Sequence, residues 1–268
     1  MIPRTIAQAI VGDGTFFSSD DFDPSWRPEV ERIVEAFGLP AGVSAPASLF
    51  VVPFNRRQVA IVSLLGRRFR FLVLRRALYD AIPDPFAIVT RFPPNLESTG
   101  TLPSLEWPEE PLPKRTVQLL DGIFKNGDGP FLLGACQTLV DSGRILLVRE
   151  QPDTKRIQDL WLLLPDSTRR QTLVATFAYS TALPFNLVVL PKIPEDGIPI
   201  GYLNEDQTRD YPESRYEREL QVAVESGDQR TVDRLFARRT SAETLKLALA
   251  IVLGMAFLTI VLRIVMSR

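Results

Sequence analysis

Between Leu247 and Leu262 the chain carries no charged residue, and this run constrains everything before it. With its flanks, from Thr244 to Met266, it amounts to roughly 23 residues, about 35 Å as a helix against a hydrocarbon core of about 30 Å. Lys246 and Arg263 stand near the two ends, where long side chains reach the headgroup layer. Thr259 is the only hydroxyl, and a helical threonine bonds back to its own backbone. A helix apolar on every side is either wrapped by protein or in lipid. Wrapping a last helix on all sides is hard, so the sequence predicts a membrane anchor over residues 241–268. Lys246 and Leu247 mark its start, and Leu262 and Arg263 its end. Gly254, four positions after Ala250, gives a small-residue spacing suited to helix pairing. The alternative is the last helix of a protein core.

Flanking charge sets the expected orientation. Arg230, Arg234, Arg238, Arg239 and Lys246 precede the run, and Arg263 and Arg268 follow it. That bias predicts a single-pass, tail-anchored protein with its N-terminal part in the cytoplasm. The bilayer is then one expected partner and a protein is the other. Lys and Arg total 31 against 32 Asp and Glu, so the net charge is -1 and no global field favours nucleic acid.

Two absences exclude much chemistry. There is no histidine, which removes histidine-based triads, histidine metal ligands and histidine pH switches. Cys136 is the single cysteine, in the apolar run FLLGACQTLV, and reads as core. One cysteine makes neither an internal disulfide nor a thiolate zinc site. No cofactor motif is present: the turns VGDG and KNGDGP lack the lysine and hydroxyl residue of a phosphate-binding loop. No catalytic residue is assigned.

The pattern along the chain predicts an α+β fold. A mainly antiparallel sheet with packed helices leads into a helical hairpin and one C-terminal transmembrane helix. Residues 1–95 hold a first strand near Thr5, a helix with Val30, Ile33, Val34 and Phe37 in phase, and the three-stranded meander SLFVVPF, QVAIVSLL and FRFLVL. Pro53 suggests an edge or an end for its strand. Residues 96–113 are proline-rich and read as an extended connection, with Trp107 docked on the surface. Residues 114–203 form a second α+β half, one compact unit with the first. Residues 204–240 read as a helical hairpin stalk.

Three clusters are candidates for chemistry. Asp20, Asp21 and Asp23 offer oxygen ligands to Mg²⁺ or Ca²⁺, although Asp23 before Pro24 also suits a helix cap. Ser167, Thr168, Arg169 and Arg170 at a helix start suit a phosphate, although Asp166 opposes one and capping explains the residues equally. The pairs Arg56-Arg57, Arg67-Arg68 and Arg75-Arg76 at strand ends suggest one basic rim or ordinary solvated turns.

The stretches FRFLVLRRALYDAIPDPFAIVTRFPP and LWLLLPDSTRRQTLVATFAYSTALPFNLVVLP resemble bacterial GTPase-associated proteins of the N-terminal-domain type. The match spans roughly Ala7 to Pro191. It implies an α+β module near GTPase-centred bacterial systems, with no catalytic residue to carry over. The large C-terminal portions of such proteins are replaced here by the hairpin and the apolar run. The expectation is a tail-anchored adaptor. The alternative is a metal-dependent enzyme acting on a phosphate-containing substrate at the membrane surface through Asp20, Asp21 and Asp23.

Overall fold

The computed structural model describes residues 3–96 and 100–237. The chain begins with β1 (Thr5–Gly12) and β2 (Thr15–Ser18), then a 3-10 turn at Pro24–Trp26 and α1 (Arg27–Phe37). The meander follows as β3 (Ala45–Asn55), β4 (Gln58–Gly66) and β5 (Arg68–Arg75). Two short helices, α2 (Arg76–Ala81) and α3 (Pro85–Arg91), lead to β6 (Leu105–Glu106). The second half runs α4 (Val117–Asn126), α5 (Gly129–Val140), β7 (Arg144–Val148), α6 (Thr154–Leu163), α7 (Asp166–Gln171), β8 (Val174–Ala175) and β9 (Leu187–Leu190). It ends with β10 (Tyr202–Leu203), α8 (Glu205–Arg209), α9 (Arg215–Glu225) and α10 (Gln229–Phe236).

All these strands join one sheet in the order β10-β7-β9-β8-β3-β4-β5-β1-β2, with β6 also on β1. The sheet is mixed, with the antiparallel pairings the more numerous. From β8 across to β2 neighbours are antiparallel, while β10, β7, β9 and β8 pair in parallel. Parallel strands need long crossovers, and α6 and α7 supply one between β7 and β8. Both halves of the chain therefore share the sheet, through the pairing of Phe50 with Ala175. Pro53 lies in a strand flanked on both sides, but β8 pairs β3 only at Phe50, so the β8 side places no demand on the missing N–H at Pro53.

Alternation along the strands divides the core in two. Leu49, Val51, Val59, Ile61, Leu72 and Leu74 face a cluster completed by Tyr79, Phe131, Trp161 and Tyr216 from the helices after β5. Phe50, Val52, Phe54, Ala60, Val62 and Phe71 face a second cluster with Ile33 and Phe37 of α1 and Phe185. Phe37 stacks on Phe50 with centroids 4.9 Å apart. Gly38 closes α1 in the left-handed region (φ 76°), and a Cβ there would stand 2.7 Å from that of Ser180.

The last two helices do not form a stalk within the described residues. Tyr216, Leu220, Val232, Leu235 and Phe236 belong to the first cluster. The Tyr216 hydroxyl donates to Leu163 O at 2.7 Å. Between β9 and α9 the chain forms β10 and α8. Glu205 of α8 accepts from Arg149 and Arg156 at 2.5 and 2.8 Å, and Asp128 from Arg156 and Arg209 at 3.0 and 2.5 Å. Among the described residues no helix is long and apolar enough to cross a membrane. The anchor residues Lys246, Leu247, Gly254, Leu262 and Arg263 lie outside the described residues.

Candidate functional site

The main concavity is a cleft of about 1300 Å³ on the face covered by the helices after β5. One wall is α2 and α3. The proline-rich segment from Trp107 to Lys114 forms another, and α6, α7 and the end of α10 complete it. Asp84 shapes α3: it precedes Pro85 at the first helical position, and its carboxylate accepts from Ala87 N at 3.0 Å. Trp161 of α6 sits on the floor, with its indole N–H donating to Pro83 O at 3.0 Å and Phe86 packed edge-on at 6.2 Å. Trp107, docked as expected, is buried against Phe92 at 6.0 Å.

The floor carries charge, but the charge is neutralised in place. Arg169 Nη2 donates to Asp84 Oδ2 at 2.5 Å, and its guanidinium lies 5.6 Å from the Trp161 ring centre. Arg115 donates to Leu162 O, Leu164 O and Asp166 Oδ1, and stacks on Phe236 at 3.7 Å. Burial, with Arg169 nearby, pulls the Arg115 pKa down to about 10 while Asp166 works against the fall, so the group stays charged at neutral pH. At the rim Arg4 pairs with Glu109 at 3.0 Å. Among the described lining residues five cations meet five carboxylates. Thr90 is the only hydroxyl residue in that set, and there is no cysteine.

A second hollow of about 490 Å³ adjoins the first and shares Phe86, Thr90 and Gln158 with it. The buried Ser48 Oγ, on its β3 side, has no hydrogen-bond partner.

The residues singled out in the sequence fall in three places. Asp20, Asp21 and Asp23 follow β2, around Phe22 of the second cluster, on the opposite sheet face from the cleft. Asp21 accepts from Ser19 Oγ at 2.5 Å. Asp23 caps the 3-10 turn by accepting from Ser25 N at 2.9 Å, and the Ser25 side chain first, with this backbone bond second, holds its carboxyl below the usual range. Among the described residues no group of three or more Asp, Glu or Cys stands together as a metal-binding set.

Ser167, Thr168 and Arg169 are buried in α7, and Arg169 is spent on Asp84. Arg170 Nε donates to Asp80 O at 2.8 Å, and Arg170 O accepts from Arg76. The arginines of this group hold the fold together, and Arg169 reaches the cleft as part of an ion pair. Cys136 is buried, and burial pushes its thiol up, away from the reactive thiolate.

Sequence reading passed over Arg115 and Asp84. Arg115 follows Lys114 at the end of the proline-rich stretch, where a basic pair reads as solvated, and nothing local shows that it is buried. Asp84 had one, since Asp followed by Pro is a helix start, but nothing local shows that it also meets Arg169.

No protein-family model, curated protein or solved structure matches this chain.

Proposed function

We propose that this chain is a membrane-anchored binding module, an adaptor whose cleft receives an extended segment of a partner polypeptide. The observation that carries the reading is the cleft itself: large, walled by aromatic and proline side chains, with its buried charges already paired. Pockets for small ligands run about 300–1000 Å³, and this one exceeds that range. Ion pairs of both signs at floor and rim favour recognition of a mixed-charge partner over activation of a nucleophile. The uncharged run from Leu247 to Leu262 supports anchoring, and the arginines before it support a cytoplasmic face for residues 3–237. From the sequence resemblance we take the partner to be a component of a GTPase-centred system.

The test combines fractionation with site-directed crosslinking. The full chain should sediment with membranes and resist carbonate extraction, and deletion of Leu247 to Arg268 should release it. A photocrosslinking residue at Leu119, on the cleft rim, should trap one defined protein in detergent extracts, while the same residue at Leu65 traps none. A full chain soluble without detergent sinks the anchoring. Identical crosslinks from both positions sink the cleft assignment.

A further inference from the structure

The six arginines at the meander's strand ends do not make one rim. Gln58 pairs with Arg75, and Arg76 N donates to Arg57 O at 2.7 Å, which brings Arg56, Arg57, Arg75 and Arg76 together at one end of the sheet. Leu65 pairs with Arg68, which puts Arg67 and Arg68 at the opposite end, about 25–30 Å away along β4. Each group sets one arginine against an acid, Arg76 at 2.9 Å from Asp80 and Arg68 at 3.7 Å from Asp13. The side chains of Arg56, Arg57 and Arg75 are exposed and make no ion pair among the described residues. Three like charges held at one end of the sheet repel one another.

The last described residues also lie toward this end. Phe236 and Ala237 line the same cleft as Arg4, Leu78 and Ala81. Arg4 precedes β1, whose Ile6 pairs with Leu74, one residue from Arg75, and Leu78 and Ala81 belong to α2, which starts at Arg76. Nine residues, 238–246, separate Ala237 from the uncharged run, and at full extension they span at most about 32 Å. Two acids toward this end are engaged, Asp80 by Arg76 and Glu109 by Arg4; the exposed Glu110 follows Glu109, and Glu106 stands two strands away on β6.

We infer that Arg56, Arg57 and Arg75 form a docking surface for the anionic headgroups of the bilayer, holding the arginine end of the sheet against the membrane. The inference rests on the anchoring reading for its tether and on the register for its surface. Guanidinium groups bind phosphate and carboxylate headgroups through paired N–H donors, and the attraction fades within a Debye length of about 8 Å at physiological salt. A cleft beside this surface receives its partner at the membrane rather than in bulk solvent.

The test uses the full chain in nanodiscs of phosphatidylcholine, with and without phosphatidylserine. Cys136 is buried, so a cysteine introduced by Pro53→Cys, near the arginines, or by Leu65→Cys, at the far end, takes a dye selectively. With a quencher on the headgroups, the dye at position 53 should be quenched about twofold or more beyond that at position 65 in phosphatidylserine discs. High salt and the combined Arg56→Glu, Arg57→Glu and Arg75→Glu changes should erase the difference, whereas Arg67→Glu should keep it. Equal quenching at the two positions, or a difference untouched by charge reversal, overturns the inference and leaves the anchor standing. A chain that does not co-elute with the discs overturns the anchoring reading and this inference with it.

Discussion

Arg169 and Asp84 meet at 2.5 Å with 5% and 13% of their side chains exposed, so a residue marked in the sequence as a phosphate ligand is half of a buried ion pair. Removing one partner leaves a buried charge uncompensated, at a cost of about 3 kcal/mol. Asp84→Asn keeps an oxygen for the α3 cap and should lose that amount in urea unfolding. Adding Arg169→Met should return most of it, since a buried pair is replaced by packing at little net cost. Additive losses in the double variant contradict the pairing.

Gly134 and Thr208 set the distance between α5 and α8. A Cβ on Gly134 would stand 2.1 Å from Thr208 O, a backbone atom that no rotamer moves aside. Gly134→Ala should therefore cost about 3 kcal/mol or more, despite alanine's better helix propensity. The damage should centre on α8, where amide exchange of residues 205–209 ought to accelerate first. A stability gain, as at an open helical glycine, excludes this contact.

The meander was legible because its signals are local: three apolar runs separated by short polar turns, and Phe37 followed by the glycine that ends α1. β10 was not, because its two residues carry no period and are defined only by their neighbours. The parallel pairing of β7, β9 and β8 has no local signal either, since it joins residues far apart in the chain. For the site, Trp107 docked as its proline-rich surroundings suggested. Arg115 did not announce itself, since its partners Leu162, Leu164 and Asp166 lie some fifty residues on. Charge clusters read two ways in sequence. Asp23 caps the 3-10 turn, as its place before Pro24 allowed, because a cap is a local contact. Arg169 and Arg170 are engaged by Asp84 and by Asp80 O, partners some ninety residues earlier that a linear reading does not see.

Arg70 is a buried cation with no carboxylate paired to it among the described residues. Its Nε and Nη2 donate to Gln8 Oε1 at 3.0 and 2.6 Å, and its Nη1 to Phe92 O at 2.6 Å. Burial lowers its pKa to about 10, which leaves it charged in neutral solution. Gln8 thus supplies two of the three bonds that offset its desolvation. Gln8→Ala should cost about 2–4 kcal/mol by guanidinium unfolding, and Arg70→Met in the same background should recover part of it. If Gln8→Ala alone is silent, water replaces the amide and the site is wetter than its burial indicates.

Glu217 gives the pH prediction. It lies in the first turn of α9, where a negative charge is normally favoured, yet its Oε2 is buried without a hydrogen-bond partner. Burial first, and Glu213 second, raise its pKa above the ordinary value. A raised folded value means that the native state holds the proton more tightly than the unfolded chain. Below the unfolded value, about 4.3, the group is neutral in both states and its full contribution is present. As pH rises through the folded value that contribution is lost. Glu217→Gln keeps the shape and removes the titration. The variant should melt about 1–2 °C above the unmodified chain at pH 7, and the gap should close as pH falls toward 4. The difference between the two chains is the quantity to follow, because Glu205, Asp228 and others held below their usual values make both chains less stable in acid. Calorimetry across pH 4–8 measures it. A gap that widens toward low pH reverses the sign and shows Glu217 to be stabilised as the carboxylate.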